Sequence, residues 1–156
     1  MVAARSDRPL SPATLDVDGY RAIHRHLFGR VYAWAGEFRT VRIGKGDSSF
    51  CYPEYISSEM EHLFAWLAAR NFLAEFSAED FAADAAHFLA TLNAIHPFRE
   101  GNGRTQLSFM SLLADRARHP FALDRLEPEA FLAAMIRSFA GDEEPLARQL
   151  RALIGE

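Results

Sequence analysis

The chain carries one cysteine, Cys51, so no intramolecular disulfide can form, and the sequence fits a reducing compartment. No stretch approaches the roughly 18 consecutive apolar residues of a membrane span. The N-terminal run Met-Val-Ala-Ala-Arg-Ser-Asp-Arg-Pro has no apolar segment of the kind a secretory signal needs. The expected location is the cytoplasm, with no membrane partner. Basic charge is also short: 17 Lys and Arg stand against 21 Asp and Glu, a net charge of −4. Sequence-independent nucleic-acid binding runs on a basic face, so no direct nucleic-acid partner is expected. Repeats, low-complexity tracts and an inter-domain linker are lacking. Residues 1–156 therefore read as one domain, with 1–13 a loose polar leader.

What the chain does have is a hydrophobic fraction of 49% and thirteen phenylalanines, which point to an aromatic-rich helical core. Tyr20, Ile23, Leu27, Val31 and Trp34 recur every three or four residues, predicting an amphipathic helix from Asp16 to about Trp34 that Gly29 and Gly36 weaken or end. Pro53 opens a helix with Ile56, Met60, Leu63, Phe64 and Leu67 on one face. Ser77 followed by Asp80 resembles a capping box. The helix it starts turns Phe81, Ala85, Phe88, Leu89, Leu92 and Ile95 inward and must stop near His96, because Pro97 disfavours the α conformation in the residue before it. A further helix from Gly103 buries Leu107, Met110, Leu113 and Ala117. Pro128 suits a first helical position ahead of Phe131, Met135 and Phe139, and a short charged helix follows Asp142. The exception is 38–52. Thr40–Ile43 alternates polar and apolar, 44–49 is turn chemistry, and Phe50-Cys51-Tyr52 is β-prone, so a short hairpin is expected there.

The chemistry concentrates at 96–107, His-Pro-Phe-Arg-Glu-Gly-Asn-Gly-Arg-Thr-Gln-Leu. A helix ends at His96, a loop crosses 97–102, and a new helix starts. Glycines 101 and 103 permit backbone angles that let N–H groups converge on an anion. The new helix adds its free N–H groups and the positive end of its dipole, and Arg104 adds a fork of donors. Glu100 borders the same concavity, and one carboxylate plus phosphate oxygens is the usual way to hold Mg²⁺. The unperturbed histidine pKa is near 6.5, so His96 can take a proton from a hydroxyl at neutral pH. A Gly-x-Gly pair after a helix is usually only a corner; here base, carboxylate, nest, helix start and arginine share one loop. The set suits nucleophilic attack at phosphorus. Gly44-Lys45-Gly46 is no P-loop, since Arg39 stands where its first glycine would be. His24 and His26 do not share a helix face, so a metal pair is not expected. Cys51 lacks an activating neighbour.

His96-Pro97-Phe98-Arg99-Glu100-Gly101-Asn102-Gly103-Arg104 resembles the signature of the Fic family, His-x-Phe-x-Asp/Glu-Gly-Asn-Gly-Arg-x-x-Arg, in every place but the last. The segment Val31–Glu37 and the hairpin before a helix are similar to the same family, so the resemblance runs from about residue 16 to 140. It implies a mainly α fold, a Fic-type helical bundle with a β-hairpin flap beside the active-site loop. It implies transfer of AMP from ATP to a Ser, Thr or Tyr hydroxyl of a target protein, with ATP as substrate and Mg²⁺ as cofactor. On that reading His96 is the base, Glu100 holds Mg²⁺, and Gly101, Asn102, Gly103 and Arg104 bind the nucleotide, with Lys45 and Gly46 reaching it from the flap. Phe98 is a packing anchor. Arg42, Ile43, Gly44 and Phe50 form the target-docking flap, whose edge can pair with an extended segment.

The last place of the motif is Leu107 where the family has arginine. In relatives that arginine orients the terminal phosphate and pairs with an inhibitory glutamate in a Ser/Thr-x-x-x-Glu-Gly/Asn motif. Ser57 to Glu61 has the spacing, but His62 follows it, so inhibition in cis is not expected. A separate antitoxin supplying the glutamate is the family's alternative. Leu107 also falls on the apolar stripe with Met110 and Leu113 and is expected in the core. Small members of the family resemble bacterial toxins that modify the ATPase subunits of type II topoisomerases. Two other readings stay open: a related transferase that moves UMP or phosphocholine, and a non-catalytic binding module.

Overall fold

The computed structural model describes residues 15–45 and 48–155, apart from the side chains of Lys45 and Ser48. The expected leader, 1–13, lies outside the described residues. Helices α1 (Val17–Phe28), α2 (Ile56–Ala69), α3 (Ala78–Ile95), α4 (Asn102–Arg116), α5 (Pro128–Phe139) and α6 (Glu144–Leu153) enclose one core, and β1 (Gly44–Lys45) pairs antiparallel with β2 (Ser48–Ser49). Among the described residues no helix is long and apolar enough to cross a membrane.

Local rules account for most boundaries. The Asp16 side chain accepts from Gly19 N at 2.8 Å and caps α1, a cap generally worth about 1 kcal/mol. Ser77 Oγ accepts from Asp80 N at 3.1 Å and caps α3. In α2 the buried set is Ile56, Met60, Leu63, Phe64 and Leu67, the predicted face. α3 packs against α2, α4, α5 and α6. All six of its predicted inward residues are buried. Phe88 and Phe64 meet Phe109, which meets Tyr20, which stacks on Phe98 at 5.8 Å. This aromatic chain runs from the bundle centre to the loop after α3.

Two expectations are corrected. The first helix ends at Phe28, with Gly29 as its cap, short of Trp34. Glycine is a poor helix former, and the chain beyond it closes successive turns through Val31 N→Phe28 O and Ala35 N→Tyr32 O. Tyr32 and Trp34 stack on each other at 4.3 Å instead of continuing a helical stripe. The hairpin exists, but its ladder lies at 44–49, in the residues read as a turn, with Gly44 opposite Ser49. Of the legs read as strands, only Ile43 and Phe50 meet, through Phe50 N→Ile43 O at 3.1 Å; the rest is bonded elsewhere. The carbonyls of Val41 and Cys51 both accept from the Arg39 guanidinium, and Cys51 N donates to Ala94 O.

Candidate active site

α3 ends in a residue that most side chains resist. His96 is its C-cap in the left-handed region, φ 51° and ψ 65°, and its N–H still closes onto Leu92 O. That turn swings the ring out of the helix axis. His96 Nδ1 lies 3.2 Å from Asn93 O. A carbonyl only accepts, so Nδ1 carries the proton and the ring's lone pair sits on Nε2. Phe50, leaving the hairpin, stacks flat on the imidazole at 3.8 Å and 7°.

The loop that follows is built from within. Phe98 is fully buried against His24 and Tyr20, the anchor that was expected. Asn102 closes the loop: its Oδ1 accepts from Phe98 N at 3.1 Å and its Nδ2 donates to Phe98 O at 2.7 Å. The Asn102 side chain is therefore committed inside the loop, at 4% exposure. Any contact of Asn102 with a ligand is thus left to its backbone, at the first position of α4. Gly101 caps α4 at φ 83°, and a Cβ there would meet Phe28 Cε2 at 2.4 Å. Gly103 is different from what was expected. It is an ordinary helical residue one step inside α4, and its missing side chain leaves open space over the helix start.

Above that helix start lies a cleft of about 830 Å³. His96, Gly103 and Arg104 line one part of it, Ile43, Gly44 and Phe50 of the flap another, and Leu107, Leu132, Met135, Ile136 and Phe139 form an apolar wall. The structure thus brings together the expected base His96, Arg104, Gly103 and three of the four expected flap residues, while Glu100, Gly101 and Asn102 are not among the lining residues. Arg42 is not among the lining residues; its guanidinium lies 4.2 Å over the Tyr52 ring. The Lys45 side chain and all of Gly46 lie outside the described residues. Leu107 is half-buried in the cleft wall, while the residues around it, Gln106 and Met110, are the buried ones. Its assignment to the core is corrected, because α4 rotates that position toward α5. Glu100 is exposed beside the start of α4. No cluster of three metal-ligating side chains occurs among the described residues. Glu100 is the carboxylate beside the α4 start that could share a hard cation with the oxygens of a bound phosphate.

Two residues that the sequence did not place in the site hold this arrangement. His24 is fully buried. Its Nδ1 accepts from Gly36 N at 2.9 Å and its Nε2 lies 2.9 Å from the Glu100 carbonyl. Both bonds require the neutral ring with the proton on Nε2, and burial lowers its pKa, against the pull of the Glu100 carbonyl. Arg39 is 3% exposed and caps the end of α3. His24 carried a signal, since it falls four residues after Tyr20 and three before Leu27, on the apolar face of α1. Arg39 carried none, because arginine is rarely buried.

Comparison with known proteins gives a concordant result. A family model described as the Fic/DOC family matches residues 14–114. The chain is 54% identical over 155 residues to a probable protein adenylyltransferase of Sinorhizobium fredii, covering 99% of this chain and 81% of that protein. It is 31% identical to the probable protein adenylyltransferase Fic of Escherichia coli, covering 94% and 74%. Among solved structures, a Bartonella quintana Fic domain with bound ADP superposes with a TM-score of 0.83 at 29% identity, covering 92% of this chain and 75% of that one. The Bartonella tribocorum BepC protein with bound AMPPNP matches at 0.83 and 25%, covering 94% and 78%.

Proposed function

Because the chain belongs to the Fic/DOC family, we propose that its cleft transfers AMP from ATP to a hydroxyl side chain of a target protein. The observation that carries this reading is the convergence on one cleft of a histidine with its lone pair on Nε2, the open N-terminus of α4 with Arg104, and the hairpin edge at Gly44. The α4 start and Arg104 suit phosphate oxygens. The apolar wall suits a planar base: Leu132 and Ile136 are 53% and 58% exposed there, and Phe139 stands edge-on to Phe50. Glu100 would hold Mg²⁺ together with the phosphates, and the ion would offset their charge during transfer.

The chemical step balances without any further reagent. His96 Nε2 takes the proton of the acceptor hydroxyl, the hydroxyl oxygen bonds to the α-phosphorus, and the bond from that phosphorus to the bridging oxygen breaks. Pyrophosphate leaves, and its charge is met by Arg104 and the α4 N–H groups. The exposed edge at Gly44 offers an extended target segment a strand to pair with, beside His96. The proposed target is a bacterial protein that presents a Ser, Thr or Tyr hydroxyl in an extended segment. The ATPase subunit of a type II topoisomerase is the first candidate to assay. Ser57 and Glu61 lie on the exposed face of α2 and do not line the cleft; a separate antitoxin is the proposed source of a brake.

The test is label transfer. The purified protein is incubated with bacterial lysate, Mg²⁺ and ATP labelled at either the α- or the γ-phosphate. Label on a protein from the α position alone is the expected result. Label from the γ position would replace this reading with a kinase. Absence of both, matched by His96→Ala, would leave a nucleotide-binding module, the reading that Leu107 in the cleft wall favours.

A further inference from the structure

Arg39 carries a buried positive charge with no carboxylate partner among the described ion pairs. Its donors go to backbone carbonyls at two places. Toward α3, Nε donates to His96 O at 2.7 Å and Nη2 to Ile95 O at 3.1 Å, while its own backbone N–H donates to Pro97 O at 2.9 Å. Toward the hairpin, Nη1 donates to Val41 O at 2.7 Å and Nη2 to Cys51 O at 2.6 Å. The last carbonyls of a helix have no partner in the helix, and they form the negative end of its dipole. One guanidinium thus satisfies the end of α3, and that end in turn stabilises the cation. The planar fork is what allows a single group to reach four carbonyls.

We infer that Arg39 is a positioning residue that locks the hairpin and His96 into one body, so that the docking edge and the base keep a fixed separation. The inference rests on the proposed transfer reaction for its kinetic consequence, though the coupling itself does not need turnover. One backbone conformation and two contacts follow from the lock. His96 is held at φ 51°, a left-handed conformation that non-glycine residues resist. Phe50 is held flat on the imidazole, and Cys51 N stays on Ala94 O. The phosphate side of the cleft is tied separately, by Asn102 within its loop and by His24 to Glu100. Loss of the fork should therefore disturb the base and the flap while leaving nucleotide binding intact.

The experiment uses Arg39→Lys, which keeps charge with one point donor, and Arg39→Gln, which keeps two donors without charge. Hydrogen exchange reads the Phe50 and Cys51 amides against Thr105 in α4. The KM for ATP and the kcat for transfer to the acceptor are measured on the same samples. The expected result is at least tenfold faster exchange at Phe50 and Cys51 with Thr105 unchanged. With it go a fall in kcat of tenfold or more and a KM for ATP within threefold of wild type. The lysine variant should retain more activity than the glutamine one. Uniformly faster exchange with KM and kcat both impaired, loss of folding in both variants, or wild-type values throughout would overturn the inference. A wild-type protein that transfers no AMP but shows the expected exchange pattern in the variants would refute the proposed reaction and leave the lock standing.

Discussion

Replacing His24 by phenylalanine removes two hydrogen bonds while keeping a flat ring of similar size against Phe98. In the native protein the His24 ring lies 3.8 Å from Phe98 and bridges Gly36 N and the Glu100 carbonyl. In the variant the Gly36 N–H stays buried without an acceptor, and an unpaired buried donor costs about 1–3 kcal/mol. The Glu100 carbonyl is only partly buried and regains water, so its loss adds about 1 kcal/mol. The sum is a destabilisation of about 2–4 kcal/mol, which for a chain of this size lowers Tm by about 5–15 °C. The assay is urea unfolding, with the midpoint shifting and the m-value constant, alongside a titration of ATP with Mg²⁺. Affinity should fall several-fold, because the segment carrying Glu100 loses its tether. A stability change under 0.5 kcal/mol, or unchanged affinity in a destabilised variant, would refute the claim that His24 holds the site loop.

The remaining predictions are more compact. Burial lowers the pKa of His24 below the 6.5 of the free side chain. Its neutral-ring contribution is thus complete above that pH, and stability falls as the pH drops below it, where the unfolded chain binds the proton more readily. Unfolding free energies between pH 5 and 7 should show this loss in the wild type and a shallower slope in His24→Phe; equal slopes would contradict it. Gly101→Ala places a Cβ 2.4 Å from Phe28 Cε2 at φ 83° and should cost about 2–5 kcal/mol from left-handed strain and overpacking together. Adding Phe28→Leu should recover the packing part in a double-mutant cycle, and additivity would contradict the clash. Leu107→Arg adds a second cation to a wall now shared with Arg104. It should lower the KM for ATP several-fold with stability nearly unchanged; an unaltered KM would show that the position does not face the phosphates.

Much of the bundle was legible because it obeys local rules. The α2 and α3 faces follow from period 3.6, the start of α3 from Ser77, and its end from Pro97. The site loop was legible because its residues are contiguous, and Phe98 was recognisable as an anchor. Illegible were the groups that act across the fold. His24 meets Glu100 across 76 residues, and Arg39 meets Ile95 and His96 across more than 50. Alternation suggested strands at Thr40–Ile43 and Phe50–Tyr52, but the pairing stops at Phe50 N→Ile43 O, because Arg39 claims the Val41 and Cys51 carbonyls. The place of Asn102 in the motif did not show that its side-chain amide is spent on the Phe98 backbone. Leu107 was assigned to the core from a stripe that α4 turns partly toward the cleft.

The central claim is that His96 supplies the base in a cleft whose other parts bind the nucleotide. The measurement that tests it most directly is single-turnover transfer of α-labelled AMP by His96→Asn, with ATP affinity determined on the same protein. The tautomer set by Asn93 places the proton acceptor on Nε2, and the phosphate-binding residues do not depend on the ring. Transfer should fall by a factor of about 10²–10⁴, the usual contribution of a positioned base, while ATP binding stays within threefold of wild type. Transfer that persists near the wild-type rate, or ATP affinity that falls as far as the rate, would contradict the account.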